Sequence, residues 1–295
     1  MKQVSKLLLG CVFIAALAVG GVFLYQAQHR LDSPVEKPAE PAASLQVAYI
    51  GDDFSLPAVD NELPVYDKYT EAMRKEKGLP LSYGGKREYF YGERVAYLTF
   101  DDGPNRENTS RILDILSREG IHGTFFLTGQ NVERYPDVVK RIYQSGNAIG
   151  MHSYSHDYKK IYASPQAYMQ EMAQTEELIY QAIGVRPIIS RAPGGTSGHF
   201  TKEYWQALSD RGYIEVGWNA LTGDADGTGK TAAAEVENLK SQLQARPYLH
   251  SHLIILMHDA SGHEATVQAL PEIIRLLRSQ GYTFRVVTTA VPQPW

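Results

Sequence analysis

From Arg94 to the C-terminus, short apolar runs alternate with amphipathic segments of helical period, and this alternation limits the chain to a few architectures. Val95–Phe100, His122–Leu127, Ala148–Met151, Ile188–Arg191, Tyr213–Trp218, Leu253–His258 and Tyr282–Val287 read as strands. Thr109–Glu119, Pro136–Ser145, Pro165–Ile183, Lys202–Arg211, Thr231–Arg246 and Ala265–Ser279 read as the helices between them. The third helix opens with Ser164 as N-cap and Pro165 at the first helical position. Such repetition calls for parallel strands with helices outside, in a doubly wound sheet or an incomplete barrel. Both architectures gather their chemistry at the carboxyl ends of strands. Asp101, Asp102, His152, His156, Arg191, the 219–226 loop, His258 and Asp259 all fall there.

Two motifs carry the chemistry: Thr99-Phe100-Asp101-Asp102-Gly103-Pro104 and His152-Ser153-Tyr154-Ser155-His156. Asp-Asp-Gly-Pro alone reads as a turn, and His-x-x-x-His alone as a helix face or loop. Together, one carboxylate and two imidazoles form a three-ligand site for a divalent ion, with positions left for water and substrate. The other carboxylate is then free to take a proton. Residue type and spacing leave open which aspartate does which. The parts are those of a metal hydrolase.

The 295 residues are 43% apolar, enough for a large core, and the net charge of −4 supplies no basic field for nucleic acid. Cys11 is the only cysteine, so no intramolecular disulfide forms. Lys2 and Lys6 precede an uncharged stretch, Leu7–Tyr25, long enough to span a bilayer and closed by no small-x-small cleavage site. Residues 1–30 are therefore expected to be a cytoplasmic tip and single-pass transmembrane signal anchor, with the rest outside the cell; secretion after late cleavage is the alternative. Residues 31–43, rich in Pro, Ala and Glu, read as a solvated linker. Residues 44–93 read as an extension packed on the main domain, with a short helix within Asp60–Lys77.

Residues 94–290 resemble the polysaccharide deacetylase family, the NodB-homology domain of carbohydrate esterase family four, and most of all its bacterial membrane-anchored peptidoglycan deacetylases. Thr99–Pro104 and His152–His156 match its first two motifs, Arg191-Ala192-Pro193-Gly194-Gly195 its third, and Leu256-Met257-His258 its fifth. The resemblance implies a distorted (β/α) barrel of about seven parallel strands. It implies Asp101 as general base, Asp102, His152 and His156 as metal ligands, and His258 as general acid. It further implies that Arg191 braces Asp101 and holds it ionised, that Gly194, following Pro193, offers its N–H to an oxyanion, and that Leu256 lines the pocket for the acetyl methyl.

The fourth motif departs from the family's Asp-x-x-Asp-Trp. Leu221-Thr222-Gly223-Asp224-Ala225 keeps an aspartate, expected to orient His258, but has Ala225 in place of the tryptophan. The implied cofactor is a divalent metal, most simply Zn2+, with Co2+, Ni2+ and Mn2+ as alternatives. The implied activity is de-N-acetylation of a cell-surface glycan, peptidoglycan at GlcNAc or MurNAc first, with chitin oligomers, poly-N-acetylglucosamine and acetylxylan open. The competing class is a non-catalytic glycan-binding wall protein on a decayed deacetylase fold. His122, His199, His250, His252 and His263 read as surface or loop histidines, Asp259 as a loop cap, and Trp205 and Trp218 as core.

Overall fold

The computed structural model describes residues 45–57, 62–246 and 251–292. The expected membrane anchor and linker lie outside the described residues, among which no helix is long and apolar enough to cross a membrane. The central sheet is parallel throughout. It is built on β3 (Val95–Asp101) and β10 (His252–His258), which pair along their whole length, Val95 opposite His252 and Asp101 opposite His258. Outward from β3 come β4 (Thr124–Leu127), β5 (Ala148–Met151), β7 (Ile189–Ser190) and β8 (Ile214–Glu215); outward from β10 comes β9 (Ala220–Leu221). β11 (Thr283–Phe284) pairs with Val95 and Ala96, while β4 pairs only from Thr99 onward, so the two share one edge of β3. The result is an open half-barrel, as expected; β9 is an additional short rung within the 219–226 segment.

Alternation along β3 divides its residues between two cores. Ala96, Leu98 and Phe100 join the large cluster beneath the helices, whereas Val95 and Tyr97 join Phe126, Ile189, Val216, Ile254 and Val287 inside the barrel. Thr99 and Asp101 continue the inner column. Outside pack α2 (Asn108–Glu119), α4 (Pro136–Gln144), α6 (Pro165–Ile183), α7 (Lys202–Asp210), α8 (Ala232–Ala245) and α9 (Glu264–Ser279), each within two residues of its expected bounds. Ser164 caps α6 as expected, its hydroxyl accepting from the Ala167 N–H. The short helices α3 (Gly129–Arg134) and α5 (Tyr158–Ile161) were not expected.

The expected strand Tyr213–Trp218 is reduced to Ile214–Glu215, for a reason that bears on the site. The carbonyls of Val216 and Gly217 turn to accept hydrogen bonds from the Arg191 guanidinium, at 3.0 and 3.1 Å. Preceding the barrel, β1 (Ala48–Tyr49) and β2 (Val65–Asp67) form a small sheet with β6 (Arg186–Pro187), and α1 (Glu71–Glu76) follows, capped by Thr70. Asp67 there meets two arginines, Arg74 at 2.6 Å and Arg186 at 3.2 Å, and Arg186 also binds Glu176 at 2.8 Å. All but Glu176 have side chains wholly out of solvent, so this charge network joins the extension to the barrel from inside.

Candidate active site

Asp101 and Asp102 part company through the backbone. Asp101 ends β3 with its side chain on the inner column; Asp102 turns into the left-handed region at φ 74°. That turn is held by Asp102 N–H to Phe126 O at 3.2 Å and by Asn131 Nδ2 to Asp102 O at 2.8 Å. Asp102 Oδ1 thereby reaches 3.2 Å from His156 Nε2 and 3.5 Å from His152 Nε2. His152 follows directly on β5 and donates from Nδ1 to the Arg191 carbonyl at 2.8 Å, which leaves the Nε2 lone pair facing Asp102. Burial pulls this imidazole down to about 3, so it stays neutral, the form that ligates a cation.

The histidine loop needs its own support, because Ser153 and His156 both have positive φ, at 68° and 54°. Glu171 on α6 supplies it, accepting from Tyr154 N–H at 3.0 Å, Ser155 N–H at 2.7 Å and Ser155 Oγ at 3.0 Å. Nothing local in the sequence marks Glu171; it lies on a helix face, and only the packing of α6 brings it under the loop. The fit of a divalent cation rests on Asp102 Oδ1, which is buried and accepts no hydrogen bond while two imidazole nitrogens converge on it. A buried anionic acceptor left unpaired is costly, and a cation among these three donors would satisfy it.

Asp101 is 2% exposed and is braced from one side. Arg191 Nη1 donates to its Oδ1 at 2.9 Å and to Thr99 Oγ1 at 2.7 Å, and the guanidinium lies 4.2 Å above the Phe126 ring. Oδ2 is left facing the triad, 3.8 Å from His152 Nε2. Burial pushes the Asp101 carboxyl above its usual value, and the charge of Arg191 offsets only part of that rise. Arg191 limits the shift rather than depressing the acid, and the result is a stronger base than a solvated carboxylate.

His258 stands opposite Asp101 in the β10–β3 register. Its Nδ1 lies 3.0 Å from Asp224 Oδ1, and its backbone N–H donates to Asp224 Oδ2 at 2.7 Å. Burial alone would lower this imidazole, but the hydrogen bond and charge of Asp224 outweigh it and raise it to about 9. Burial likewise opposes the Asp224 charge, yet His258 and His263 hold its carboxyl well below the usual range. Asp224 thus sits where an orienting partner belongs, while Ala225 is exposed beside it and presents no ring.

Leu256, two residues before His258 on the same face of β10, is partly open to solvent. Gly194 has φ 70°, and a Cβ there would stand 2.7 Å from Tyr158 Oη, so a side chain at this position would be strained and would displace the Tyr158 ring. The preceding Pro193 carbonyl accepts from Tyr162 Oη at 2.6 Å.

Three residues differ from their sequence reading. Asp259 is fully buried beneath the Gly103 turn, hydrogen-bonded by Thr109, and burial lifts it to about 7. His263 does not lie free in a loop: its Nδ1 is 3.5 Å from Asp224 Oδ2 and its ring stacks on His258 with centroids 5.1 Å apart. Trp205 is 41% exposed rather than core.

A buried carboxylate braced by an arginine, a carboxylate beside two imidazoles and an imidazole held by an aspartate gather at the strand ends of a parallel half-barrel, an arrangement suited to a hydrolase. The polysaccharide deacetylase family model matches residues 91–216. The chain is 29% identical over 291 residues to a peptidoglycan-N-acetylglucosamine deacetylase of Bacillus cereus, covering 96% of this chain and 91% of that one. It is 30% identical to a peptidoglycan-N-acetylmuramic acid deacetylase of Bacillus subtilis, over 66% of this chain and 70% of that one. The solved catalytic domain of a peptidoglycan N-acetylglucosamine deacetylase from Eubacterium rectale superposes with a TM-score of 0.63 at 31% identity, covering 71% of this chain and 96% of that domain. The chain belongs to the polysaccharide deacetylase family and is a hydrolase.

Proposed function

We propose that this protein removes N-acetyl groups from peptidoglycan, at GlcNAc or MurNAc, on the outer side of a membrane to which residues 1–30 anchor it. The observation that carries the reading is the facing pair Asp101 and His258, register partners across β3 and β10, each held by a partner of opposite charge. A divalent cation, Zn2+ in this reading, would be held by Asp102, His152 and His156 and would supply Lewis-acid polarisation of the acetamide carbonyl and a more acidic water.

The chain's own residues do the rest. Asp101 accepts the proton of the attacking water on Oδ2, the oxygen Arg191 leaves free. The Gly194 N–H donates to the carbonyl oxygen as it gains charge. Leu256 receives the acetyl methyl. His258, kept protonated by Asp224, gives its proton to the amine nitrogen as the carbon–nitrogen bond breaks, since an amine leaves poorly as an anion. Support for peptidoglycan comes from the two relatives named for it and from an apolar stretch and spacer suited to holding the domain at the wall.

The test is acetate release by the metal-loaded protein on peptidoglycan, chitin oligomers and acetylxylan, with a chelator control. Release from peptidoglycan first, abolished by His258→Ala, is the expected result. Binding to these glycans without release from any would instead favour a glycan-binding wall protein.

A further inference from the structure

Besides the triad at Asp102, one other group of metal-ligating side chains converges among the described residues: Asp224, His258 and His263, whose donor atoms all lie within 4.8 Å of one another. The geometry points to a second, inhibitory cation site there, which takes a borderline transition-metal ion such as Zn2+ and withdraws the general acid. This rests on the reading of His258 as acid.

The donor set repeats that of the triad, one carboxylate and two imidazoles. Such donors select Zn2+, Co2+ or Ni2+ over the hard ions Mg2+ and Ca2+. Both histidines present Nδ1 to one carboxylate, His258 at 3.0 Å from Oδ1 and His263 at 3.5 Å from Oδ2. Their rings stack nearly parallel, 25° apart with centroids 5.1 Å from each other, which keeps both imidazoles beside the one carboxylate. The carboxylate itself is pinned from elsewhere, by the His258 backbone N–H at 2.7 Å and by Thr266 Oγ1 at 3.1 Å. It therefore stays in place when the imidazoles exchange a proton for a cation. The His263 side chain is 20% exposed against 4% for Asp224, which gives the ion an entry from solvent past His263.

Occupation changes the acid directly. A cation bound at Nδ1 of His258 releases the proton that Nδ1 shares with Asp224, and the ring then holds at most the proton on Nε2. It is no longer an imidazolium, and the amine loses its proton donor. The same ion that activates the enzyme at the triad switches it off when in excess.

The experiment titrates Zn2+ into the chelator-stripped full chain by calorimetry and follows acetate release over the same range. The wild type is expected to bind two equivalents, and His152→Ala, His263→Gln and His263→Arg one each. Wild-type activity rises and then falls with Zn2+, with no fall in excess Mg2+. In each His263 variant, compared with its own maximum, the fall requires at least about tenfold more Zn2+, since losing even an outer partner of a metal site costs about 10–100-fold in affinity. One equivalent in the wild type, two retained in both His263 variants, or an unmoved inhibition would overturn the second site. Two equivalents with no acetate from any glycan would leave the site standing and refute the deacetylase reading instead.

Discussion

Asp224→Asn isolates the electrostatic half of the acid. The amide keeps the shape that fills the space between His258, His263 and Thr266, removes the charge and turns one of the two accepting oxygens into an NH2 donor. Two unit charges about 4 Å apart at an effective dielectric near 20 attract by about 4 kcal/mol, or about 3 pKa units. Burial takes part of that back, which accords with a net rise of the imidazole from 6.5 to about 9. Without the carboxylate, burial is opposed only by the smaller pull of the Asp101 and Asp102 charges, so the imidazole falls well below its wild-type value. In the proposed reaction the protonated ring is the active form, so activity should decline as pH climbs through this value. The alkaline limb of kcat/KM should therefore move down from near 9 in the wild type by about one unit or more in the variant. At pH 8 the variant should run at least about twofold below its own acid plateau, where the wild type is still close to its maximum. Acetate release measured from pH 5 to 10 with metal saturating decides it. A limb displaced by less than half a unit would refute the assignment of Asp224 as the group that tunes His258.

Stability gives the same prediction an independent readout. The raised imidazole contributes fully below 6.5 and its contribution is lost as pH rises through about 9. The depressed Asp224 contributes above 3.8 and is lost as pH falls through its lower folded value. The gap in urea stability between wild type and Asp224→Asn should thus be widest between 3.8 and 6.5 and close toward alkaline pH.

Asp101→Asn should keep one equivalent of metal at the triad and lose about 10²–10⁴-fold in kcat, read by metal analysis beside acetate release. His152→Ala should do the reverse at the level of binding, losing the triad's metal on dialysis, with the fold unchanged by circular dichroism. Asp67→Ala leaves the buried Arg74 and Arg186 without their shared carboxylate and should cost about 3–5 kcal/mol in denaturant unfolding. A cost under 1 kcal/mol would mean that the extension is held by its apolar contacts instead. Gly194→Ala introduces a Cβ 2.7 Å from Tyr158 Oη at a φ of 70°, and should lower kcat while metal stoichiometry is unaltered.

The half-barrel was legible because its strands are short runs of apolar residues and its helices carry clear inner faces; Val95–Phe100 and Ala148–Met151 need no distant partner to be read. The two motifs lie at the ends of those strands, so their meeting follows from parallel order alone. Alternation along β3 also puts Asp101 on the column of Val95, Tyr97 and Thr99, inside the barrel. What separates Asp102 from it is a backbone torsion of 74°, which no property of the Asp side chain announces. Residues recruited across the chain were hidden in the same way. Glu171 reaches the histidine loop from a helix, His263 reaches Asp224 from a loop, and Asp67 meets Arg186 only when β2 pairs with β6. Each looks like an ordinary surface charge in the sequence, because a buried ionic partner is defined by a contact between distant segments, not by its neighbours in the chain. Even the truncation of β8 belongs here: two carbonyls that a strand would have used are committed to Arg191, and the guanidinium so fixed is the one that sets Asp101. Local pattern therefore specifies the barrel and the cluster of Asp102, His152 and His156. Asp101 and His258 acquire their pKa shifts only from contacts the fold creates, which is why Arg191 was readable as a partner of Asp101 but not as one outweighed by burial.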